Sequence, residues 1–451
     1  MAERLHEEPR EPRSDEERVR DFQRKLCQKA KQEVNFRFYV LYDKVRLPYM
    51  LREAYARCRA NGGAPGVDGV SFEQIEVTVG GVGELLAEIL KELEAKTYRP
   101  SPVKRVYIPK ANGKMRPLGI PTIKDRIVQT ACKMVIEPIF EADFQDDSYG
   151  FRPKRSAHDA MAAIKRNLKE GLNEVYDADL SAYYDTIPHK ELLILVGKRI
   201  SDQNVLHLIK MWLKAPIWED GKVTGGKKNQ RGTPQGGVVS PLLANVYLNL
   251  IDKAVRRGGG VFQKTGVKIV RYADDFVLMG HRIPKACVDY LKGCLGRMKL
   301  ELNEEKTRAV RVKEEAFSFL GFTIRYAVSR YDGARKYVRI EPSAKSEKKA
   351  RENIGACLSK NGHLGPGPLA ARLNEITRGW AGYFTIQGVS YPQKSLRKLR
   401  QYLSLSLQRY YRQKSQRRSK RSYRNAFAEL ITHYGLVNPV DYAPKLQPVN
   451  A

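Results

Sequence analysis

A pair of adjacent aspartates inside an otherwise apolar segment constrains this chain more than any other feature. Residues 270–279 contain two apolar runs separated by Tyr272-Ala273-Asp274-Asp275. Such a pattern predicts a β-hairpin whose turn carries both carboxylates. An ordinary polar turn would have the same sequence pattern, so this segment alone does not identify a function.

A second acidic segment lies upstream, where an apolar strand pattern leads into a helix that is predicted to begin near Pro188. This segment carries Asp177, Asp179 and Asp185. Successive side chains of a strand point to opposite faces, so Asp177 and Asp179 share one face and strand parity does not separate them. A helix-capping role for Asp179 or Asp185 is the alternative.

Carboxylates on rigid strand ends suit divalent metal ions that prefer hard oxygen ligands. In phosphoryl transfer, two such ions about 3.5 to 4 Å apart stabilise the attacking oxygen, the leaving group and the transferring phosphoryl group. One acid from a strand end and one or two from a hairpin turn would suffice, because magnesium keeps water and phosphate oxygens among its ligands. Together, the two segments carry the carboxylates that such metal-dependent phosphoryl transfer needs.

The charge balance indicates a polyanionic partner. Lys and Arg number 81 against 50 Asp and Glu, a formal net charge of +31, so nucleic acid is the first candidate and an anionic membrane surface the second. The longest apolar stretch, residues 238–251, is interrupted by Ser240, Pro241 and two asparagines, which argues against a transmembrane helix. The first 20 residues lack a secretory apolar core, and the six cysteines form no zinc or disulfide pattern, so we expect a cytoplasmic protein.

The spacing of apolar residues predicts an α+β protein. Turn-forming residues at 61–69 mark a loop between two helices, and residues 105–121 are predicted to form a basic hairpin. Helices are expected at 126–140 and 157–168, strands are expected at 173–180, 267–270, 276–279 and 319–326, and the chain becomes helical and basic after residue 341.

Several motifs taken together resemble the palm of group II intron reverse transcriptases. Tyr-Ala-Asp-Asp at 272–275 is preceded upstream by Asp-Leu-x-x-x-Tyr-Asp at 179–185. Residues 148–153, Ser-Tyr-Gly-Phe-Arg-Pro, are similar to another motif of the family. Residues 230–245, which contain Pro-Gln-Gly-Gly, are similar to its nucleotide-pocket motif. The resemblance extends over residues 61–434.

This resemblance implies a right-hand polymerase with fingers and palm, followed by an α-helical thumb/maturase domain. The implied divisions are a polar N-terminal extension and first helix at 1–60, fingers at 61–170, palm at 171–340, thumb/maturase domain at 341–434 and a short tail at 435–451. The implied activity is RNA-directed DNA polymerisation, in which a DNA primer is extended on an RNA template from dNTPs with two Mg²⁺ ions. Mn²⁺ is the alternative ion. A structured intron RNA and a target DNA are the further implied partners, in the bacterial cytoplasm.

The resemblance also implies roles for individual residues. Asp179 and Asp274 are expected to bind the metal ions, with Asp275 as a weaker contributor. Tyr184 occupies the position at which the family places a bulky ring, usually phenylalanine, against the sugar of the incoming nucleotide. Its ring is therefore expected to exclude a 2′-hydroxyl, and a core aromatic is the alternative.

Further residues match positions of the family that contact the nucleotide. Lys110 and Arg116 match cations on the finger hairpin that hold the triphosphate, although a solvated basic loop would look similar. Gln235 matches a position that contacts the incoming nucleotide, and Gly236 lets the backbone approach it. Lys306 lies in a motif whose lysine is near the leaving pyrophosphate, which makes it a candidate general acid, with a surface lysine as the alternative.

The C-terminal part of the chain suggests RNA binding. Residues 378–384 resemble the thumb or maturase signature of the same family. Cations then alternate with aromatic side chains, a pattern typical of RNA-binding surfaces, although charge runs are also found on solvated faces. The predicted nucleic-acid-binding residues are Arg409, Arg412, Arg417, Arg418, Lys420, Arg421 and Arg424.

Three other functions are consistent with these motifs. One is an RNA-splicing cofactor whose polymerisation is incidental, and another is a free-standing relative of the intron enzymes that acts in DNA repair or phage defence. The third is a nucleic-acid-binding protein with an inactive site. Because Asp179, Asp274, Asp275 and Gln235 are all present, we predict that polymerisation is retained.

Overall fold

The computed structural model describes residues 13–109, 113, 115–226, 229–329, 333, 336–414 and 425–441. Its helices are α1 (Asp15–Gln32), α2 (Tyr42–Val45), α3 (Pro48–Asn61), α4 (Phe72–Val77), α5 (Gly81–Glu94), α6 (Ile123–Glu141), α7 (Ala157–Lys169), α8 (Tyr183–Thr186), α9 (His189–Gly197), α10 (Gln203–Leu213), α11 (Ser240–Arg256), α12 (Val261–Thr265), α13 (Lys285–Arg297), α14 (Ala344–Lys360), α15 (Pro366–Phe384), α16 (Gln393–Lys414) and α17 (Ala426–Tyr434). Its strands are β1 (Val103–Pro109), β2 (Met115–Ile120), β3 (Glu174–Ala178), β4 (Pro216–Glu219), β5 (Lys222–Gly225), β6 (Lys268–Tyr272), β7 (Asp275–Gly280), β8 (Arg308–Arg311), β9 (Phe317–Phe319), β10 (Phe322–Val328) and β11 (Lys336–Pro342). The predicted α+β class is confirmed.

The N-terminal part of the chain is more structured than its charge pattern predicts. Helix α1 begins with a capping box, in which the Ser14 hydroxyl accepts a hydrogen bond from the Glu17 amide and the Glu17 carboxylate accepts one from the Ser14 amide. Val19 and Ala30 are buried where α1 packs against α6. One narrow apolar stripe suffices to dock a helix whose other faces are charged. Residues 15–32 are therefore a packed helix within the segment expected to contain a polar extension and a first helix.

A four-stranded sheet in the order β2-β1-β4-β5 carries the finger hairpin. Strands β1 and β2 pair antiparallel from Lys104 opposite Ile120 to Pro109 opposite Met115. Strand β4 pairs in parallel with the first residues of β1, and β5 pairs antiparallel with β4. The base of the finger hairpin is therefore hydrogen-bonded to a segment that comes much later in the chain.

The palm sheet consists of antiparallel strands in the order β6-β7-β3-β8. Side chains of β7 alternate between two cores. Phe276 and Leu278 enter the core that the palm shares with the finger helices, whereas Val277 and Met279 enter a second core that includes residues of α7 and β10. Because both faces of β7 are covered by apolar side chains, polar groups are accommodated at the strand ends.

A small sheet and a helical domain follow the palm. The turn between β9 and β10 contains Leu320 and Gly321, whose φ angles of 48° and 80° interrupt the single strand expected at 319–326. Helices α14, α15, α16 and α17 enclose a core of their own, to which α16 contributes Leu403 and Leu407. Trp380 of α15 packs against both this core and the second palm core. The predicted helical C-terminal region is confirmed.

Candidate active site

The pairing of β3 with β7 brings the two acidic segments together. Ala178, the last residue of β3, lies opposite Phe276 in an antiparallel register. Asp179 directly follows β3, and Asp275 directly precedes Phe276 in β7, so Asp179 and Asp275 meet at the same edge of the sheet. Asp274 lies in the tight turn that joins β6 to β7. All three aspartates therefore lie at one end of the palm sheet.

The three carboxylates are close enough to affect one another electrostatically. Asp275 reaches the surface, yet desolvation by the surrounding palm, together with the charges of Asp274, Asp179 and Asp177, raises its pKa to about 6. Desolvation also raises the pKa of Asp274, a shift that Asp179 increases and Arg116 opposes. A cation at this edge would relieve the repulsion between the carboxylates.

Asp177 and Asp179 have different partners, which distinguishes two residues that strand parity leaves equivalent. Asp177 stays within β3, where the Arg308 guanidinium lies 3.8 Å from its carboxylate. Asp179 lies beyond the end of β3 and accepts a hydrogen bond of 2.8 Å from the Lys306 ammonium. The loop that carries Lys306 is fixed to the same residue, because the Asn303 amide donates to the Asp179 carbonyl at 2.7 Å. Asp179 is thus the carboxylate at the open end of the sheet.

The chemistry of these donors fits divalent ions whose coordination is completed by substrate and water. Within the part of the chain that the structure describes, no group of three or more His, Cys, Asp or Glu side chains could enclose a metal ion. Magnesium is commonly bound by one or two carboxylates together with water and phosphate oxygens. Asp179 and Asp274 supply such carboxylates from strand ends, and the Lys306 contact shows that Asp179 accepts a cationic partner.

Two of the predicted nucleotide-binding residues lie near this edge. Tyr184 in α8 is half-buried, and its carbonyl accepts a hydrogen bond of 2.7 Å from the Thr233 amide. Desolvation and the charge of Asp274 raise the pKa of Tyr184, whereas Arg116 opposes the shift, so the phenol is near both charged groups. Arg116 is exposed on β2. Lys110 lies outside the described residues.

The loop with Gln235 and Gly236 joins the palm to the finger hairpin. The Gln235 carbonyl accepts a hydrogen bond of 2.5 Å from the Gly119 amide of β2, and its side-chain amide nitrogen lies 3.3 Å from both carboxylate oxygens of Asp185. Gly236 has a φ of +112°, and a Cβ at this position would overlap the Gly119 carbonyl oxygen. The conformation and the close approach both require glycine.

The predicted nucleic-acid-binding residues fall partly on α16. Arg409 and Arg412 are exposed in the last turns of this helix, opposite its buried leucine face. The other predicted residues, Arg417, Arg418, Lys420, Arg421 and Arg424, lie outside the described residues.

The fold and the acidic edge define a nucleic-acid polymerase of the right-hand class. Residues 108–324 match the reverse transcriptase (RNA-dependent DNA polymerase) family, and residues 347–427 match the group II intron maturase-specific domain. The chain belongs to the family of group II intron-type reverse transcriptases and maturases. The family resemblance, the RNA-directed DNA polymerase class and the maturase function predicted from the motifs are confirmed.

Individual relatives differ in how much of their length the chain covers. It is 37% identical to Protein YkfC of Escherichia coli (strain K12) over an alignment of 365 residues, and the match covers 73% of this chain and 93% of YkfC. It is 31% identical to the group II intron-encoded protein LtrA of Lactococcus lactis subsp. cremoris over an alignment of 370 residues, and the match covers 67% of this chain and 59% of LtrA. The chain therefore matches nearly all of YkfC but little more than half of LtrA.

A solved structure titled "Partial Cas6-RT-Cas1--Cas2 complex" gives a TM-score of 0.34 at 21% identity, covering 57% of this chain and 42% of that one. This similarity is too low to bear on fold or function. Among the described residues, no helix is both long and apolar enough to cross a membrane.

Sequence reasoning missed the groups that support the acidic edge. Arg271 of β6 is fully buried and paired with Asp252 of α11. An arginine inside an apolar strand pattern is itself a signal, because a guanidinium is buried only with partners. Its partner lies on a different element, so strand and helix periodicity could not identify it. The sequence leaves helix capping open as a role for Asp185, whereas in the structure its carboxylate accepts a hydrogen bond from the Gln235 side chain.

Proposed function

We propose that the protein extends a DNA primer on an RNA template by Mg²⁺-dependent nucleotidyl transfer, with Asp179 and Asp274 as metal ligands and Asp275 as a weaker one. Mn²⁺ is the alternative ion. The observation that carries the proposal is the register of β3 and β7, which brings Asp179 to the turn that holds the other two. Family membership supports a requirement for divalent ions. When bound, such ions would neutralise charge on the attacking and leaving oxygens.

Residues around the acidic edge would bind and orient the dNTP. Arg116, exposed on the finger hairpin, and Lys110 would pair with its triphosphate. Gln235 would contact the nucleotide, and its hydrogen bonds with Asp185 support this by orienting the amide before binding. Gly236 would let the backbone come close to the substrate.

Lys306 would donate a proton to the leaving pyrophosphate. Its ammonium is 2.8 Å from the Asp179 carboxylate, which keeps it at the edge where the reaction would occur. The side chain is 59% exposed, so it is free to turn toward a phosphate oxygen when substrate is bound. A protonated amine beside a leaving oxygen lowers the barrier as a general acid.

The further proposed partners are a structured intron RNA and a target DNA, in the bacterial cytoplasm. The maturase-specific domain at residues 347–427 supports an intron RNA partner, as do the exposed Arg409 and Arg412. All six cysteines are free, which supports a reducing compartment.

Primer extension tests the metal-site assignment. Purified protein is given a DNA primer annealed to an RNA template, dNTPs and Mg²⁺. Asp274→Ala or Asp179→Ala removes one metal ligand, so extension should slow by about a thousandfold or more, because metal-based charge stabilisation contributes several kcal/mol. Asp289→Ala removes an exposed carboxylate on α13 and should extend the primer at the wild-type rate. Extension by Asp274→Ala at a near wild-type rate would show that the assignment is wrong.

A further inference from the structure

A buried ion pair lies directly behind the turn that carries Asp274. Arg271 is the residue before Tyr272 at the end of β6, and its side chain is completely buried. Its Nε lies 2.9 Å from Oδ1 of Asp252, and its Nη2 lies 2.5 Å from Oδ2 of the same carboxylate, whose side chain is also completely buried. This two-pronged geometry fixes the guanidinium in the plane of the carboxylate.

The remaining nitrogen of the guanidinium holds the turn itself. Arg271 Nη1 donates to the Ala273 carbonyl at 2.9 Å and to Asn245 Oδ1 at 2.8 Å. Ala273 has a φ of 58°, a left-handed conformation that costs energy for a residue with a side chain, so this turn needs an external restraint. The hydrogen bond to its carbonyl oxygen supplies one.

The opposite side of the turn is held by the segment around Gly150. The Asn245 amide nitrogen donates to the Gly150 carbonyl at 2.8 Å, and the Tyr149 amide donates to the Arg271 carbonyl at 2.8 Å. A Cβ on Gly150 would overlap the Ala273 amide nitrogen. The turn is thus enclosed between the guanidinium on one side and a glycine backbone on the other.

Stability alone gives no reason for this arrangement. Replacement of a buried ion pair by apolar residues of similar volume is often neutral or stabilising, because burial of two charges loses as much hydration as their attraction returns. A guanidinium does something that an apolar side chain cannot do: it donates in several fixed directions at once. Here those directions include the turn that carries a metal-binding carboxylate.

We propose that Arg271, Asp252 and Asn245 are positioning residues, which hold the Ala273–Asp274 turn so that Asp274 and the adjacent Asp275 meet Asp179 in the geometry that binds metal ions. This proposal rests on the proposed metal-dependent function of the same edge. None of the three needs to contact substrate. Groups that orient metal ligands in this way typically change metal affinity or activity by about 10- to 100-fold when they are altered.

The test replaces the ion pair without leaving a buried charge. In the double variant Arg271→Met/Asp252→Leu, both charges are exchanged for apolar side chains of similar volume, so the melting temperature should stay near the wild-type value. The measured quantities are kcat and the dNTP KM in primer extension, and the affinity of the protein alone for Mn²⁺, followed by electron paramagnetic resonance. We expect kcat and Mn²⁺ affinity each to fall by about 10- to 100-fold, with little change in KM.

Two single variants cover the case in which the double variant does not fold. Asn245→Leu keeps the ion pair and removes the hydrogen bonds that link Asn245 to Gly150 and to Arg271 Nη1. Gly150→Ala places a Cβ against the Ala273 amide nitrogen and changes no charge. Both should lower kcat and Mn²⁺ affinity in a folded protein. Arg271→Lys keeps the positive charge but loses the planar guanidinium that donates in several fixed directions. This variant should retain less activity than wild type and more than the double variant.

A control uses a second ion pair, between a buried arginine and a partly buried aspartate, whose contacts do not include the turn. Arg199 and Asp143 are 3.2 Å apart, and Arg199 also donates to the carbonyls of Ala30 in α1 and of Glu33, the residue after α1. Arg199→Met/Asp143→Leu makes the same exchange of charged for apolar side chains, and it should leave kcat and Mn²⁺ affinity at the wild-type values.

Unchanged kcat and Mn²⁺ affinity in the folded Arg271→Met/Asp252→Leu or Asn245→Leu variant would overturn the positioning role. The Mn²⁺ measurement separates the two proposals. If the wild-type protein binds Mn²⁺ but extends no primer, the proposed function fails, and a loss of Mn²⁺ affinity in the variants still supports the positioning role.

Discussion

Tyr184 is the residue on which the predicted choice between ribose and deoxyribose depends. Its ring packs edge-to-face against the Tyr183 ring at a centroid distance of 5.5 Å, and its carbonyl accepts a hydrogen bond from the Thr233 amide. The ring therefore has little freedom to move away from a bound sugar. Tyr184→Ala should therefore admit ribonucleotides, with the preference for dNTPs over rNTPs falling by at least about tenfold. Single-nucleotide incorporation kinetics with dNTP and rNTP measure the preference.

The control for this prediction is Tyr184→Phe, which keeps the ring and removes only the hydroxyl. This variant should discriminate as well as wild type. If Tyr184→Ala is folded and active and retains the full preference, another side chain excludes the 2′-hydroxyl.

At the scale of residues, the sequence predicts the acids but not what surrounds them. Asp274 and Asp275 could be placed in a turn because the apolar strands on either side are strong signals. The difference between Asp177 and Asp179 depends on Arg308 and Lys306, which reach them across strand pairing and a loop. Such tertiary contacts leave no periodic pattern in a single sequence.

At the scale of elements, the second prediction concerns the contact between the finger hairpin and the Gln235 loop. Gly236→Ala adds a Cβ that overlaps the Gly119 carbonyl oxygen, in a backbone conformation that is itself strained for alanine. The loop must shift relative to β2, so kcat/KM for dNTP should fall by about a hundredfold, as small misplacements of binding groups do. Steady-state primer extension measures the change.

Gly296→Ala is the control for this substitution, because a Cβ there meets no atom within 4 Å. Gly296 lies within α13, where alanine is the better helix former, so activity should be unchanged and stability slightly increased. Wild-type kcat/KM in Gly236→Ala would mean that the fingers and the palm loop are not coupled through this contact.

Helix α16 gives a prediction about the stability of the C-terminal helical domain. Leu403 is completely buried in the core of that domain, whereas Leu405 on the same helix is 45% exposed. Leu403→Ala should cost about 2 to 5 kcal/mol of unfolding free energy through lost contacts and a residual cavity. Leu405→Ala should change it by less than about 0.5 kcal/mol. Urea denaturation of the two variants provides the comparison, and equal midpoints would contradict the packing of α16.

Helix α1 and the turn between β9 and β10 show why sequence patterns do not predict every element of the fold. Helix α1 has so few apolar residues that its charges dominate the pattern, yet its buried Val19 and Ala30 are enough to dock it on α6. The segment at 319–326 reads as one strand because both flanks are apolar, but Leu320 and Gly321 adopt positive φ angles and turn the chain. A left-handed leucine is rare enough that sequence gives no warning of it.

At the scale of the whole molecule, the hydrophobic cores extend across the domain boundaries that are expected from the sequence. Residues of α3, α6 and α11 belong to one core, so the expected fingers at 61–170 and palm at 171–340 are not packed independently. Phe384 of α15 packs in the second palm core together with β10, which ties the helical domain to the palm. Local periodicity finds elements, but it cannot show which of them enclose the same apolar side chains.

The charge of the whole chain supports one last prediction, about where structured RNA binds. The formal net charge is +31, and the cations predicted to contact RNA begin with the exposed Arg409 and Arg412 on α16. Neutralised phosphates release counterions, so affinity falls with salt along a slope proportional to the number of phosphate contacts. If binding is concentrated near the C-terminal end of α16, removal of cations there reduces the slope more than removal of the same number of cations elsewhere.

Replacing Arg417, Arg418, Lys420, Arg421 and Arg424 together by Gln should therefore weaken binding to a long folded RNA and reduce the salt slope by about one unit for each cation that contacts phosphate. On a short annealed primer and template at low salt, the variant should keep much of its extension rate, because the palm carboxylates are untouched. The control removes the same charge by changing five exposed lysines elsewhere, Lys190, Lys198, Lys210, Lys264 and Lys285, to Gln. If both variants lose affinity and slope equally, net charge rather than this segment holds the RNA. If the first variant keeps both at the wild-type value, the segment is a solvated face and the RNA is bound elsewhere.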